Sequence, residues 1–291
     1  MANVTNNSAN AVNKNMIIPS VYSALVREKI AGKVIISQAT EVKGDLQGKP
    51  GETISFIKWA YIGDSKDIKP GTPMESTNMK QTETLATIKM VAAPAVSVND
   101  YDNATEYGSA LDEAAKQQAI SMARKLDTDC IDVALTTPLK VKLATKNKVT
   151  FDEMNNILLM YGDDANIDSF HFVAVHSMFV PSLLAMDGFV DATKTFTKDG
   201  NGIVLNNLLG YFRGIPVVIS DRLYDATNKE GFILAIKKGS IGVVPKEAPF
   251  VEVARDASTR TNTIYCSDYY AVALTDDSGI VVAKTVLPVS E

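Results

Sequence analysis

Histidines, cysteines and clustered carboxylates are the side chains from which most protein chemistry is built, and this chain holds few of them. With two His and two Cys in all, a Cys/His zinc site is not expected. His171 and His176 are five residues apart, a spacing that on a strand sends them to opposite faces. They read as one structural and one surface histidine rather than an acid–base pair. Cys130 falls at the buried phase of a helical pattern and Cys266 within a strand pattern. With only Arg124 and Lys125 as basic neighbours, both thiols read as small core hydrophobes. Asp127, Asp129 and Asp132 form an acidic cluster, but on a helix successive side chains turn by about 100° and these three do not converge on one ion. They read as a solvated helix face. The run Asp163-Asp164-Ala165-Asn166-Ile167-Asp168 has the flavour of a calcium loop, yet it lacks the central Gly and the closing Glu, so it reads as an inter-element loop. No phosphate-binding GxxxxGK[ST], dinucleotide-binding GxGxxG or nucleophile-elbow GxSxG occurs. No catalytic, cofactor-binding or metal-ligating residue is predicted, and the chain is not expected to be an enzyme.

Composition narrows the partners. The 291 residues are 46% hydrophobic and 22% charged, with a formal net charge of −5. A folded chain of this mass exposes roughly 12,000 Å² against roughly 45,000 Å² unfolded, enough burial for one large domain or two ordinary ones. The acidic balance disfavours a general nucleic-acid binder with a basic face. No apolar run approaches the 18–20 or so residues of a membrane span. The polar, Asn-rich start has no apolar signal core, and scarce cysteine suits a reducing compartment.

The elements that would position any functional residue are unevenly distributed. Residues 1–15 carry no period and read as a flexible arm that orders only against a partner. Val21, Leu25, Val26 and Ile30 recur at helical spacing, with Gly32 as a stop. Residues 51–63 and 79–98 read as two long strands, joined by a polar tip punctuated by Pro70-Gly71 and Pro73. Between 41 and 90, seven acidic residues are interspersed with seven lysines. That pattern fits both a hairpin docked on another surface and an ordinary solvated one. A two-stranded ribbon is marginal alone, which favours the docked state.

The strongest helical signal runs over 102–135, from Tyr107 through Leu111, Gln118, Met122, Leu126 and Cys130 to Val133. Asp102 or Asn103 caps its start and Pro138 stops it. About 30 residues would make a helix of roughly 45 Å, well above the usual length. Thr150 and Glu153 form a capping box opening a helix through Tyr161. Thereafter 169–176 reads as a strand, 177–186 as a short helix, 187–202 as a loop and 203–210 as a half-helix. Residues 212–223 read as turn and strand, 231–244 as one strand, and 250–286 as three strands with a turn at Asp276-Asp277-Ser278-Gly279. Alternating strands and helices over 150–245 point to a compact α/β domain. Residues 151–200 hold eight acidic residues against two lysines.

This order of polar arm (1–37), extended hairpin (41–98), long helix (102–135), α/β region and closing strands resembles the major capsid protein of tailed bacteriophages, the Hong Kong 97 type fold. YFRGIPVVISDRL (211–223) looks like a short turn and strand common late in the axial domain of such proteins. The resemblance implies an α+β fold with an N-terminal arm (1–40) and an extended β-hairpin loop (41–98). It also implies a peripheral domain (99–149 and 246–291) built on a spine helix, and an α/β axial domain (150–245). It implies a shell subunit that forms pentamers and hexamers around double-stranded DNA without sequence-specific binding, in a virion assembled in the host bacterial cytoplasm. The hairpin would lie over a neighbouring subunit, with Lys66, Asp67, Lys69, Glu75 and Lys80 as intersubunit contacts near its tip. No scaffolding segment precedes the arm, which implies a separate scaffolding protein or none; a portal and decoration proteins are further implied partners. No cofactor, metal or membrane is implied. Some relatives cross-link a Lys to an Asn between subunits, and Lys66, Lys69 and Lys80 are candidates by location alone. No partner Asn or catalytic Glu is identified, and cross-linking is not predicted. An encapsulin-type compartment shell shares the expected fold. A two-domain α/β enzyme or ligand-binding protein lacks the necessary signatures, and an adhesin-like β protein does not account for the long helix.

Overall fold

The computed structural model describes residues 19–31, 34–42, 53–59, 78–101, 110–162, 166–191, 207–247 and 249–285, with a few single positions between them. The helices are α1 (Pro19–Ala31), α2 (Ala110–Ala134), α3 (Phe151–Leu159) and α4 (Val180–Leu184). The first strands are β1 (Thr40–Val42), β2 (Thr53–Trp59), β3 (Gln81–Thr87), β4 (Lys89–Ala92), β5 (Val96–Asn99), β6 (Lys140–Lys142) and β7 (Phe170–Val175). Then come β8 (Phe189–Asp191), β9 (Leu208–Phe212), β10 (Ile215–Ile219), β11 (Tyr224–Asp225) and β12 (Glu230–Gly231). The last are β13 (Ile233–Lys237), β14 (Ile241–Pro245), β15 (Phe250–Asp256), β16 (Thr261–Leu274) and β17 (Ile280–Lys284). The chain divides into two units, one of 1–33, 90–123 and 247–269, the other of 34–89, 124–246 and 270–291.

In the first unit, β15 pairs antiparallel with β16 from Phe250↔Ser267 to Asp256↔Thr261, and β5 pairs with the same strand from Thr261↔Asn99 to Ile264↔Val96. One face of these strands is covered by helices. Tyr22, Val26 and the partly buried Ile30 of α1 recur every fourth residue, and Ala115, Ala119 and Met122 of α2 do so at steps of four and three. Both rows meet Val251, Ile264 and Cys266. Small residues on α2 allow close approach to the sheet. The α1 stripe is rotated from the expected one: Val21 is exposed and Tyr22 is buried, because the Tyr22 hydroxyl has a buried partner in Gln118.

The second unit is organised around a seven-stranded sheet in the order β6-β17-β13-β7-β10-β9-β8. Strands β10 and β7 run parallel, as do β17 and β6. Its central strands are apolar at nearly every position because both faces are covered, the exceptions being His171 in β7 and the terminal Lys237 and Lys284 of β13 and β17. Val173 and Val175 of β7, Ile233 and Ala235 of β13, and Val281 and Ala283 of β17 face Met154, Ile157, Phe179 and Leu183. The alternate residues Phe172, Ala174, Leu234, Ile236, Ile280 and Val282 face Cys130, Ile131 and Ala134 of α2. The Thr150–Glu153 capping box opens α3 as expected. In the same unit β14 lies between β1, parallel, and the end of β16, antiparallel.

Several elements depart from the sequence reading. The half-helix expected over 203–210 is strand β9 at its described end: Arg213 and Gly214 both take positive φ (50° and 84°), a tight hairpin turn that pairs β9 with β10. The expected loop at 187–202 begins with strand β8, paired to β9. The single strand expected over 231–244 is broken at Gly239, φ 75°, into β13 and β14, which belong to different sheets. The strand expected over 79–98 is interrupted at Ile88 and again at Ala93-Pro94-Ala95, where proline removes a ladder donor. Helix α2 is described from Ala110; 1–15 and 102–109 lie outside the described residues.

Candidate functional site

The hairpin predicted over 51–98 is present, with β2 and β3 paired antiparallel from Thr53↔Thr87 to Trp59↔Gln81. Opposite residues share a face, so Ile54, Phe56, Thr84 and Ala86 form one side of the ribbon and Thr53, Ser55, Ile57, Glu83, Leu85 and Thr87 the other. The first side buries Phe56 and Ala86 against Val244, Ala271 and Ala273 of the second unit. Gly242 makes the seat possible: a Cβ there would come 2.8 Å from Cε1 of the Phe56 ring. The hairpin therefore has an anchored root. Its other side is bare, with Leu85 70% and Ile57 52% exposed.

Among the residues predicted at the tip, Asp67 and Lys80 are described and both are exposed. Lys66, Lys69 and Glu75 lie outside the described residues.

The acidic cluster on α2 departs most from expectation. Only Asp132 is exposed; Asp127 and Asp129 are 3% and 1% exposed. Asp127 accepts hydrogen bonds from the Ile35 amide (3.0 Å), the Ser37 amide (2.9 Å) and the Ser37 hydroxyl (2.9 Å). Burial pushes its carboxyl above the usual range, and those three donors oppose the shift. Asp129 accepts from Lys125 Nζ (3.0 Å), Lys89 Nζ (3.3 Å) and the Tyr270 hydroxyl (2.8 Å). Burial would raise its pKa, but Lys125, Tyr270 and Lys89 together hold it below the usual range. The two carboxylates face different elements, so they make no metal site, and no group of three or more potential ligands occurs among the described residues. A sequence signal for their burial existed: Asp127 stands three residues before Cys130, and Asp129 four before Val133, both within the apolar stripe.

The remaining chemistry-bearing side chains are structural. His171 Nε2 lies 2.7 Å from the Gln38 carbonyl. Burial lowers its pKa, the Gln38 carbonyl opposes this, and Lys238 adds to the lowering. It lines a pocket of about 340 Å³ with Glu41 and Lys238. The Lys238 ammonium donates to the Asp168 carbonyl at 2.9 Å. Buried His176 accepts the Met178 amide through Nδ1 at 3.2 Å; His171 is half-buried, so neither is the exposed surface histidine expected of one of the pair. Both thiols are buried; burial pushes Cys266 up to about 11 and Cys130 higher still, leaving neither a nucleophile at neutral pH. No described helix is long and apolar enough to cross a membrane.

Comparison with known proteins places this geometry. The family described as phage capsid protein matches residues 81–283. The major capsid protein of Staphylococcus phage phiMR11 is 27% identical over 269 residues, covering 91% of this chain and 92% of that one. Among solved structures, the capsid of a native GTA particle superposes with a TM-score of 0.62 at 12% identity, over 87% of this chain and 90% of that one. The mature capsid of bacteriophage PhiM1 superposes at 0.60 with 14% identity, over 87% and 88%.

Proposed function

The chain belongs to the phage capsid protein family, and from that membership we propose that it is the major capsid protein of a tailed phage, self-assembling into the icosahedral shell that encloses the genome. The observation that carries this is the family match across 81–283, which takes in the hairpin's second strand, α2, the seven-stranded sheet and the closing strands. The role is structural, and the buried thiols and committed histidines support it.

Within that role the hairpin region 41–98 is the extended loop, laid over a neighbouring subunit, and 1–40 is the N-terminal arm. Helix α2, with the rest of 99–149 and the strands of 246–291, forms the peripheral domain around a spine, except that β6 and β17 join the seven-stranded sheet beside β13. Residues 150–245 form the axial domain that meets its copies in pentamers and hexamers. The bare Leu85 and Ile57 support an intersubunit hairpin, and Lys66, Asp67, Lys69, Glu75 and Lys80 are its contacts near the tip. Mixed charges there set register and partner choice more than affinity. Many repeated contacts compensate for modest strength in each. Excess acid over 151–200 suits a wall that encloses double-stranded DNA without gripping its phosphates. Assembly takes place in the host bacterial cytoplasm, with scaffolding, portal and decoration proteins as the kinds of partner this reading calls for.

Light scattering and negative-stain microscopy of the purified protein, alone and with scaffold, test the reading. Megadalton shells or capsomer rings are expected; a monomer under every condition overturns it. Deleting 62–80 should leave the subunit's circular dichroism unchanged and abolish assembly. A deletion that instead unfolds the second unit removes the intersubunit role assigned to the tip.

A further inference from the structure

The described β2–β3 hairpin lies in sequence between two tether points on one helix. Ser37 is bound by Asp127, and Lys89 is bound by Asp129. The two aspartates are two residues apart on α2, an axial rise of about 3 Å. They project roughly 160° apart around the helix, so each meets a different strand of the chain. Ser37 precedes β1 by three residues, and Lys89 opens β4 two residues after the end of β3. Leucine would fill either position without desolvating a charge. Carboxylates there are retained at a cost that only directional bonds offset, and a bond with direction fixes geometry where an apolar contact fixes only proximity.

We propose that Asp127 and Asp129 form a double clasp which sets the course of the hairpin from the subunit, Asp127 fixing the incoming segment and Asp129 the outgoing one. The clasp is a conformational device: turning or bending α2 at this point carries both roots of the hairpin together. Helix geometry and hairpin direction are thereby coupled within one subunit. Three features support the device over simple stabilisation. Asp127 binds mainly backbone amides, which hold a chain path whatever side chains follow. Asp129 gathers its partners from three sites in the chain, Lys89, Lys125 and Tyr270. Lys89 is itself half-exposed, its side chain at 56%, while the carboxylate its ammonium meets is buried. The proposal rests on the shell reading for its purpose but not for its existence, since the clasp is a property of the single chain.

The test is amide hydrogen exchange on the full-length unassembled subunit, comparing wild type with D127N, D129N and K89M. Asp127→Asn should speed exchange over 35–42 by about ten-fold or more, and Asp129→Asn should do so over 81–88, with 170–175 and 233–237 unchanged. Lys89→Met removes an exposed partner and folds even where the aspartate variants fail; it should speed 81–88 by at least about three-fold. Wild-type exchange over 81–88 in K89M, or acceleration spread equally into 170–175, overturns the clasp. Light scattering on the wild-type preparation reports the shell reading separately, so the two can fail independently.

Discussion

Tyr22 on α1 donates its hydroxyl hydrogen to Oε1 of Gln118 on α2 at 2.8 Å, both side chains being buried. The Gln118 amide nitrogen donates in turn to the carbonyls of Pro94 (3.1 Å) and Ile264 (3.2 Å). One amide thus joins two helices, a connector and a strand of the first unit, and satisfies three buried polar groups at once. Gln118→Leu strands those groups, and a stranded buried partner costs about 1–3 kcal/mol. The expected loss is about 3 kcal/mol in urea unfolding. Tyr22→Phe should cost about 1 kcal/mol, and the double variant less than the sum. Additive losses would show that the two side chains act separately.

Helix α3 depends on a reciprocal cap. Thr150 Oγ1 accepts the Glu153 amide at 3.3 Å, while Glu153 accepts the Thr150 and Ala144 amides at 2.7 Å each. Thr150→Ala should lower stability by about 1 kcal/mol. Burial acts to raise the Glu153 pKa, but the Ala144 and Thr150 donors hold it below its ordinary 4.5. Its stabilisation is therefore present above that value and is lost as pH falls through the lower folded one. Glu153→Gln should flatten this part of the acid unfolding curve, measured by circular dichroism at 222 nm.

Phe56 is the hairpin's main apolar anchor, and Phe56→Ala empties its seat beside Gly242. Truncating a buried Phe costs about 3–5 kcal/mol where the surroundings cannot collapse. At this surface ribbon about 3 kcal/mol is expected, confined to the hairpin. Limited proteolysis should cut between 60 and 80 faster than in wild type while the seven-stranded sheet remains resistant. Gly242→Val should produce the same pattern by pushing the Phe56 ring out. Equal protection in all three proteins would mean that the ring does not hold the hairpin.

How far the sequence could be read depended on whether a residue's local period decided its fate. Thr150 and Glu153 announced their helix because a capping box is complete within four residues, and Val173 and Val175 announced a buried strand because the apolar run is short and β-branched. Strand β9 was misread because Leu208 and Leu209 fit either period; the deciding fact, positive φ at Arg213 and Gly214, belongs to a turn four residues away. The hairpin was legible as two strands, but not the seating of Phe56, which requires Gly242 and Ala273 from distant chain. Asp127 and Asp129 were misread for the same reason. Their spacing from Cys130 and Val133 pointed inward, yet a charged side chain is assigned to solvent until its partners are known, and Ser37, Lys89 and Tyr270 are far away in sequence.

The same two carboxylates should respond to acid with opposite signs. Asp129, held below the usual range by its lysines and Tyr270 despite burial, contributes stability that is present above 3.8 and lost as pH falls through its lower folded value. Asp127 is raised by burial. The folded chain therefore takes up its proton before the unfolded chain does, and the wild type gains stability from this site as pH falls through the raised value toward 3.8. Against wild type, D129N should be most destabilised at neutral pH, with the gap narrowing below pH 3.8. D127N should fall further behind as the solution becomes mildly acidic, because it cannot take up that proton. Lys89 and Lys125 are half-exposed, so salt should shrink the D129N effect more than the D127N effect. Urea midpoints between pH 7 and pH 3, at low and high salt, measure both trends. Parallel curves for the two variants would show that the two sites do not titrate as their surroundings dictate.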